Sequence, residues 1–169
     1  MMPGLVAAVA LQPDGKVVAG GDFTLVNGVE RRRIALLNAN GTLDLGFDPG
    51  TGIVGAPFNV GIDALLLLPD GKVLAGGLFE IFNGTGDNAL MRLTANGAAD
   101  AAFTTVLGAG VGFNGAVTDT ALQPDGKVVV TGWFGVYNGG LSKGVARLNV
   151  DGTLDPTFNP GIGPAGQGT

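Results

Sequence analysis

The segment Pro13-Asp14-Gly15-Lys16 recurs as Pro69-Asp70-Gly71-Lys72 and as Pro124-Asp125-Gly126-Lys127, at intervals of 56 and 55 residues. Self-similarity at a fixed period of this length constrains a fold more than any local propensity, because each copy must bury its apolar surface against a neighbour like itself. Other landmarks keep their distance from the anchor proline. Phe23, Phe79 and Phe134 lie ten residues after it, and Asn27-Gly28, Asn83-Gly84 and Asn138-Gly139 begin fourteen after it. Gly41, Gly97 and Gly152 lie 28 after it, Asp44, Asp100 and Asp155 lie 31 after it, and Phe47, Phe103 and Phe158 lie 34 after it. The chain therefore reads as a single repeat domain over 1–169, with repeats at 5–56, 57–112 and 113–169.

Each unit reads as four strands joined by turns. An apolar first strand (Leu5 to Leu11, Ile62 to Leu68, Val117 to Leu122) ends at the Pro-Asp-Gly turn, where aspartate tolerates the bend and glycine supplies positive φ. A second strand rich in β-branched residues, such as Lys127 to Thr131, runs to the phenylalanine. The Asn-Gly pair marks a second reversal, of the kind a two-residue hairpin prefers. The third strand holds Ile34 to Leu37, Leu90 to Leu93 and Val145 to Leu148 and closes at Asn40-Gly41, Asn96-Gly97 or Asp151-Gly152. A fourth element passes through the Asp and Phe positions into a glycine-rich connector. Val29 to Asn40 and Ala98 to Leu107 look helical in isolation. Their counterparts, however, are a glycine-broken, valine-rich stretch (Gly140 to Asp151) and a segment carrying Pro156 and Pro160. Neither counterpart can be helical, which argues against a helix in both. Glycine fills 32 of 169 positions, yet 46% of residues are hydrophobic, so the glycines belong to turns and not to a disordered chain. The expected fold class is all-β: three four-stranded propeller blades, completed by oligomerisation. A β-solenoid is the alternative, but its coils are shorter and seldom need three hairpin turns each.

These residues resemble the delta-60-type repeat of bacterial proteins, which carries an "ALQPDGK" strand and turn, a "GGDF" strand end, a "VNG" turn and an "RLNxDGxLDxxFNPG" close. Here the matching stretches are Ala10 to Lys16, Gly20 to Phe23, Val26 to Gly28 and Arg147 to Gly161, and the likeness covers nearly the whole chain. It implies a propeller-like fold, no catalytic residues, and a setting in large multi-repeat proteins that are often secreted or at the cell surface. The departures are local: Leu36 stands where Arg92 and Arg147 stand, and Ala98-Ala99 replace Thr-Leu.

Propellers typically close with about four to eight blades, so three leave two open sides, each with apolar surface and unpaired strand edges. A structural or interaction module that self-assembles through its blade edges follows, with a homo-oligomer as the expected partner. Two chains would close a six-bladed ring through two equivalent interfaces, a rotation that fails to close would give a filament, and a fragment of a longer chain is the third option. The net charge of −5 and nine basic residues argue against nucleic acid. No apolar run approaches the roughly 20 residues of a membrane helix, so membrane insertion is not expected. Met1 to Gln12 lacks the basic start and the cleavage site of a signal peptide, and an extracellular or cell-surface location rests on the resemblance alone.

Histidine and cysteine are absent and Ser142 is the only serine, which excludes the Ser-His-Asp and Cys-His arrangements and imidazole metal sites. No catalytic residue is expected, although a carboxylate pair including Asp48 would fit glycosidase chemistry. No cofactor is expected either, with calcium the one weak candidate. Asn38, Asn40 and Asp44, and again Asn149, Asp151 and Asp155, place oxygen atoms at alternate positions around a glycine bend. The bland reading is a hairpin turn braced by aspartate. The glycine pattern from Gly110 to Gly115 lacks the following helix that phosphate binding needs, and reads as a linker. Three features break the repeat and are binding candidates. Arg31, Arg32 and Arg33 form a unique basic cluster, suited to an anionic partner or to a solvated strand start. Trp133 lies beside Phe134 and near Tyr137, and these aromatics suit core or interface packing, with stacking on a glycan as the alternative. The connectors Gly50 to Gly61 and Val106 to Gly115 could form a binding rim for a protein or glycan partner.

Overall fold

The computed structural model describes residues 4–53, 61–83, 85, 86, 89–103 and 112–161. Each repeat is a three-stranded antiparallel sheet carrying a two-stranded ribbon. In the first, β1 (Val6–Leu11), β2 (Val17–Gly21) and β5 (Ile34–Leu37) lie in the order β1-β2-β5, and β3 (Leu25–Val26) pairs with β4 (Val29–Glu30). The second has β6 (Gly61–Leu67), β7 (Val73–Leu78) and β10 (Leu90–Leu93), with the ribbon β8 (Ile81–Phe82) and β9 (Thr85–Gly86). The third has β11 (Val117–Leu122), β12 (Val128–Gly132) and β15 (Val145–Leu148), with the ribbon β13 (Val136–Tyr137) and β14 (Gly140–Leu141).

Turn chemistry sets these elements. At the Pro-Asp-Gly turn Gly15 takes φ +84°, its N–H reaches the carbonyl of Gln12, and the Asp14 carboxylate accepts from the N–H of Lys16. Asn27 and Gly28 both have positive φ (50° and 81°), the geometry a two-residue hairpin requires. That hairpin closes the small ribbon, which stands between the second and third strands. The fourth strand of each blade is a single bridge: Leu37 to Leu43, Leu93 to Ala99 and Leu148 to Leu154. A blade is thus three full strands and one bridged segment. Of the two stretches with helical patterning, Val29 to Asn40 forms β4 and β5, and Ala98 to Leu107 shows one helical turn at 101–103, its last four residues lying outside the described ones.

A bulge recurs at the start of every first strand, between Val6 and Ala8, Ile62 and Ala64, and Val117 and Asp119. It sets which side chains share a face. Ala10, Val18, Ile34 and Leu36 of the first sheet pack on Ile62, Val73, Met91 and Leu93 of the second, forming one core. The opposite face of the second sheet, with Leu74 and Leu90, packs on Val117, Val128, Val130 and Leu148 of the third, forming the other. The blades therefore stack face to face, as sheets with one apolar side each must. Two connector residues latch the stack: Ile53 bridges to Phe82 and Phe113 to Tyr137, so the chain touches the ribbon of each new blade before entering it.

Candidate functional site: blade corners and open blade faces

At one corner of each blade the lysine of the Pro-Asp-Gly-Lys turn meets the aspartate 28 residues on. The pairs are Lys16–Asp44 at 2.8 Å, Lys72–Asp100 at 3.1 Å and Lys127–Asp155 at 2.7 Å. Arg92 and Arg147 add their Nε–H to Asp100 and Asp155, and each guanidinium lies over a phenylalanine ring, Phe103 or Phe158. The hydrogen bond from Lys16 holds the Asp44 carboxyl below its ordinary value and raises the ammonium in turn. Burial alone would push Asp100 up, but the bonds from Lys72 and Arg92 bring it down. Asp155 is depressed furthest, by Lys127 first and then by Thr157 and Arg147. Sequence reading marked both ends of this pair as invariant landmarks without joining them. Their constant separation of 28 residues was the available signal.

This pairing bears on the calcium candidates. Asp44 and Asp155 face the lysines, and Asp155 also accepts the Thr157 hydroxyl. Asn38 and Asn149 donate to Thr42 and Thr153, whose hydroxyls donate in turn to Asn40 and Asp151. The loops are braced by protein donors, and among the described residues no three aspartate or glutamate side chains gather at them.

Acid should unfold the protein through these corners. A carboxyl whose folded pKa lies below its unfolded value of about 3.9 stabilises the fold fully above that value and loses this contribution as pH falls through the folded one. Lys127→Met should lower the melting temperature at pH 7, with the gap to the parent narrowing as pH drops below about 4. A gap that stayed constant from neutral to acid pH would show that Lys127 acts by packing instead.

Clefts run between neighbouring corners. In the second, Arg92 reaches across to the carbonyl of Val150 in the third blade, and the cleft encloses about 260 Å³. In the first, Leu36 stands in place of that arm, and the cleft, lined by Lys16, Asp44, Phe47 and Leu67, encloses about 810 Å³.

The repeat-breaking residues go to different places. Arg32 is exposed and pairs with Glu30, Arg31 donates to the Glu30 carbonyl, and Arg33 reaches the carbonyl of Asp22. Arg33 has φ +74°, as Ala89 and Gly144 have 67° and 78° at the equivalent positions, so its backbone is fixed by the fold, with burial lowering the pKa of its side chain. Trp133 is 84% exposed, whereas Tyr137 is 1% exposed, packs on Phe113 and donates its hydroxyl to the carbonyl of Gly152. The structure does not bring the two rings together on one surface. Burial raises the Tyr137 pKa. Connector residues 54–60 and 104–111 lie outside the described residues, and with them most of the expected rim and the start of the Gly110 to Gly115 pattern.

The first blade presents an open apolar face. Val6, Val9 and Leu11 of the first blade are 51%, 64% and 70% exposed, although Ile62 and Val117, at the position of Val6, are both fully buried. The knob position meets a glycine of the preceding blade: a Cβ at Gly20 would lie 2.6 Å from Ile62 Cγ2, and one at Gly76 would lie 2.4 Å from Val117 Cγ1. Stacked four-element blades with an interlocking knob and glycine define a β-propeller repeat module. Segments 12–47, 68–103 and 123–158 match the family described as domain of unknown function (DUF5122) beta-propeller, and the chain belongs to that family. No curated protein matches the chain.

Proposed function

We propose that the chain is a non-enzymatic structural and interaction module that self-associates through an open end blade, outside the cell or at its surface. The observation that carries this reading is the exposed row Val6, Val9 and Leu11, whose counterparts in the second blade line a blade-to-blade core. An apolar row of this kind on a rigid sheet favours association. The chain has no histidine or cysteine, and its single serine, Ser142, is buried, which supports a role without nucleophilic chemistry. The extracellular setting rests on the resemblance of the repeat alone. Size exclusion with light scattering should find a discrete species heavier than the 16.8 kDa chain. Val9→Lys should return it to the single-chain mass, because it places a charge in the middle of the row. A parent protein running as one chain at every concentration would sink this reading.

A second reading, a carbohydrate-binding or carbohydrate-cleaving propeller, is favoured by one observation, the open indole of Trp133. It predicts a glycan-array signal that Trp133→Ala removes. An array without signal for the associated protein would eliminate it.

A further inference from the structure

The blades differ at one position of the repeat, on the face turned away from the chain's start. On the face turned toward the next blade, Ala8 pairs with Gly20 in the first blade and Ala64 with Gly76 in the second. The same register pair in the third blade is Asp119 with Thr131. Gly20 and Gly76 are the sockets that receive Ile62 and Val117, and even a single added carbon there would lie within 2.6 Å of the knob. Threonine at 131 puts three heavy atoms into the corresponding space. Asp119, whose carboxylate accepts the N–H of Thr120, would be buried in such a stack where Ala64 is buried now. A carboxylate covered by apolar surface without a charged partner is costly. The third blade thus has a polar, filled outer face, the character of a terminal cap in a stacked repeat. The first blade keeps an apolar knob face.

We propose that the third blade is a closed end, with Thr131 and Asp119 barring head-to-tail stacking, and that two copies of the chain pair through their first blades, Val6, Val9 and Leu11 of one against the same residues of the other. This rests on the self-association proposed above and selects its form. With the third blade closed, the apolar face a second copy offers is the one it shares with the first, and a two-fold axis makes that surface self-complementary. The face is continuous in kind with the interfaces inside the chain: Ile62, Leu65 and Leu67 use it to cover the first blade. The product is a two-fold dimer, neither a six-bladed ring nor a filament.

The test uses the full chain in four variants, each followed by light scattering over a concentration series and by circular dichroism to check the fold. Val9→Lys and Ala121→Lys each place a lysine at an exposed position, one on the outer face of the first blade and one on that of the third. The parent should reach a plateau at two chains, Ala121→Lys should do the same, and Val9→Lys should remain single. Thr131→Gly combined with Asp119→Ala should reopen the socket, and in that background Ala121→Lys should weaken an association that it leaves untouched in the parent. Loss of association in both lysine variants would overturn the inference in favour of head-to-tail contact while leaving self-association intact. So would a parent species that keeps growing, or a socket variant whose association Ala121→Lys leaves unchanged. A parent that never exceeds one chain would overturn the self-association reading itself.

Discussion

Replacing Gly77 by alanine should destabilise the fold by about 3 kcal/mol, the upper end of what overpacking usually costs. A Cβ there would lie 2.0 Å from the carbonyl oxygen of Gly61, and that neighbour is backbone in a paired strand, unable to swing aside. The same collision awaits at Gly21, 1.9 Å from the Leu5 oxygen, and at Gly132, 2.1 Å from the Ala116 oxygen. The cause is the bulge in each first strand, which draws the start of that strand over the end of the second. Gly139→Ala is the control. Nothing lies within 4 Å of a Cβ at Gly139, so only its left-handed backbone, φ +81°, opposes the change. That costs about 1 kcal/mol. Urea unfolding of the two variants should separate them clearly, and equal midpoints would show that the first strand can yield at the bulge.

Much of this architecture was legible because turn chemistry is local. The third strands Ile34–Leu37, Leu90–Leu93 and Val145–Leu148 fall where the repeat put them, and the Pro-Asp-Gly and Asn-Gly turns adopt the backbone angles their residues favour. The ribbon was harder. Two-residue strands leave no periodicity to read, so the Asn-Gly turn looked like the link between the second and third strands. The faces were hidden for a different reason. In an unbroken strand the residues of one face are two apart, but the bulge puts Val6, Val9 and Leu11 on one side, at spacings of three and then two. Trp133 and Tyr137 show the same limit. The repeat gives Trp133 the position of Asp22 and Leu78, an exposed one, and gives Tyr137 that of Phe82, a buried one. The match of Trp133 to Asp22 and Leu78 is readable in the repeat, but exposure at that position is set by packing, which the repeat alone does not show. The Lys–Asp corners carry a signal in their constant separation of 28 residues, but a fixed spacing shows which residues recur and not which of them meet in space.

Ile62 and Val6 occupy one position of the repeat, and truncating each to alanine should give very different results. Ile62 is fully buried between the first two blades, its Cγ2 set against Gly20, and the methyls lost in Ile62→Ala leave a cavity that glycine on the facing strand cannot fill. Such a change costs about 2–5 kcal/mol, part transfer and part cavity. Val6 is half exposed in the isolated chain, and Val6→Ala should alter stability by no more than about 0.5 kcal/mol. Because Val6 belongs to the proposed docking face, the comparison is best made in a Val9→Lys background, where association does not add to the measured stability. Denaturation with urea in that background should show the asymmetry directly. If Val6→Ala proved as damaging as Ile62→Ala, the first blade's outer face would be covered within a single chain, and the open-face account of association would fall with it.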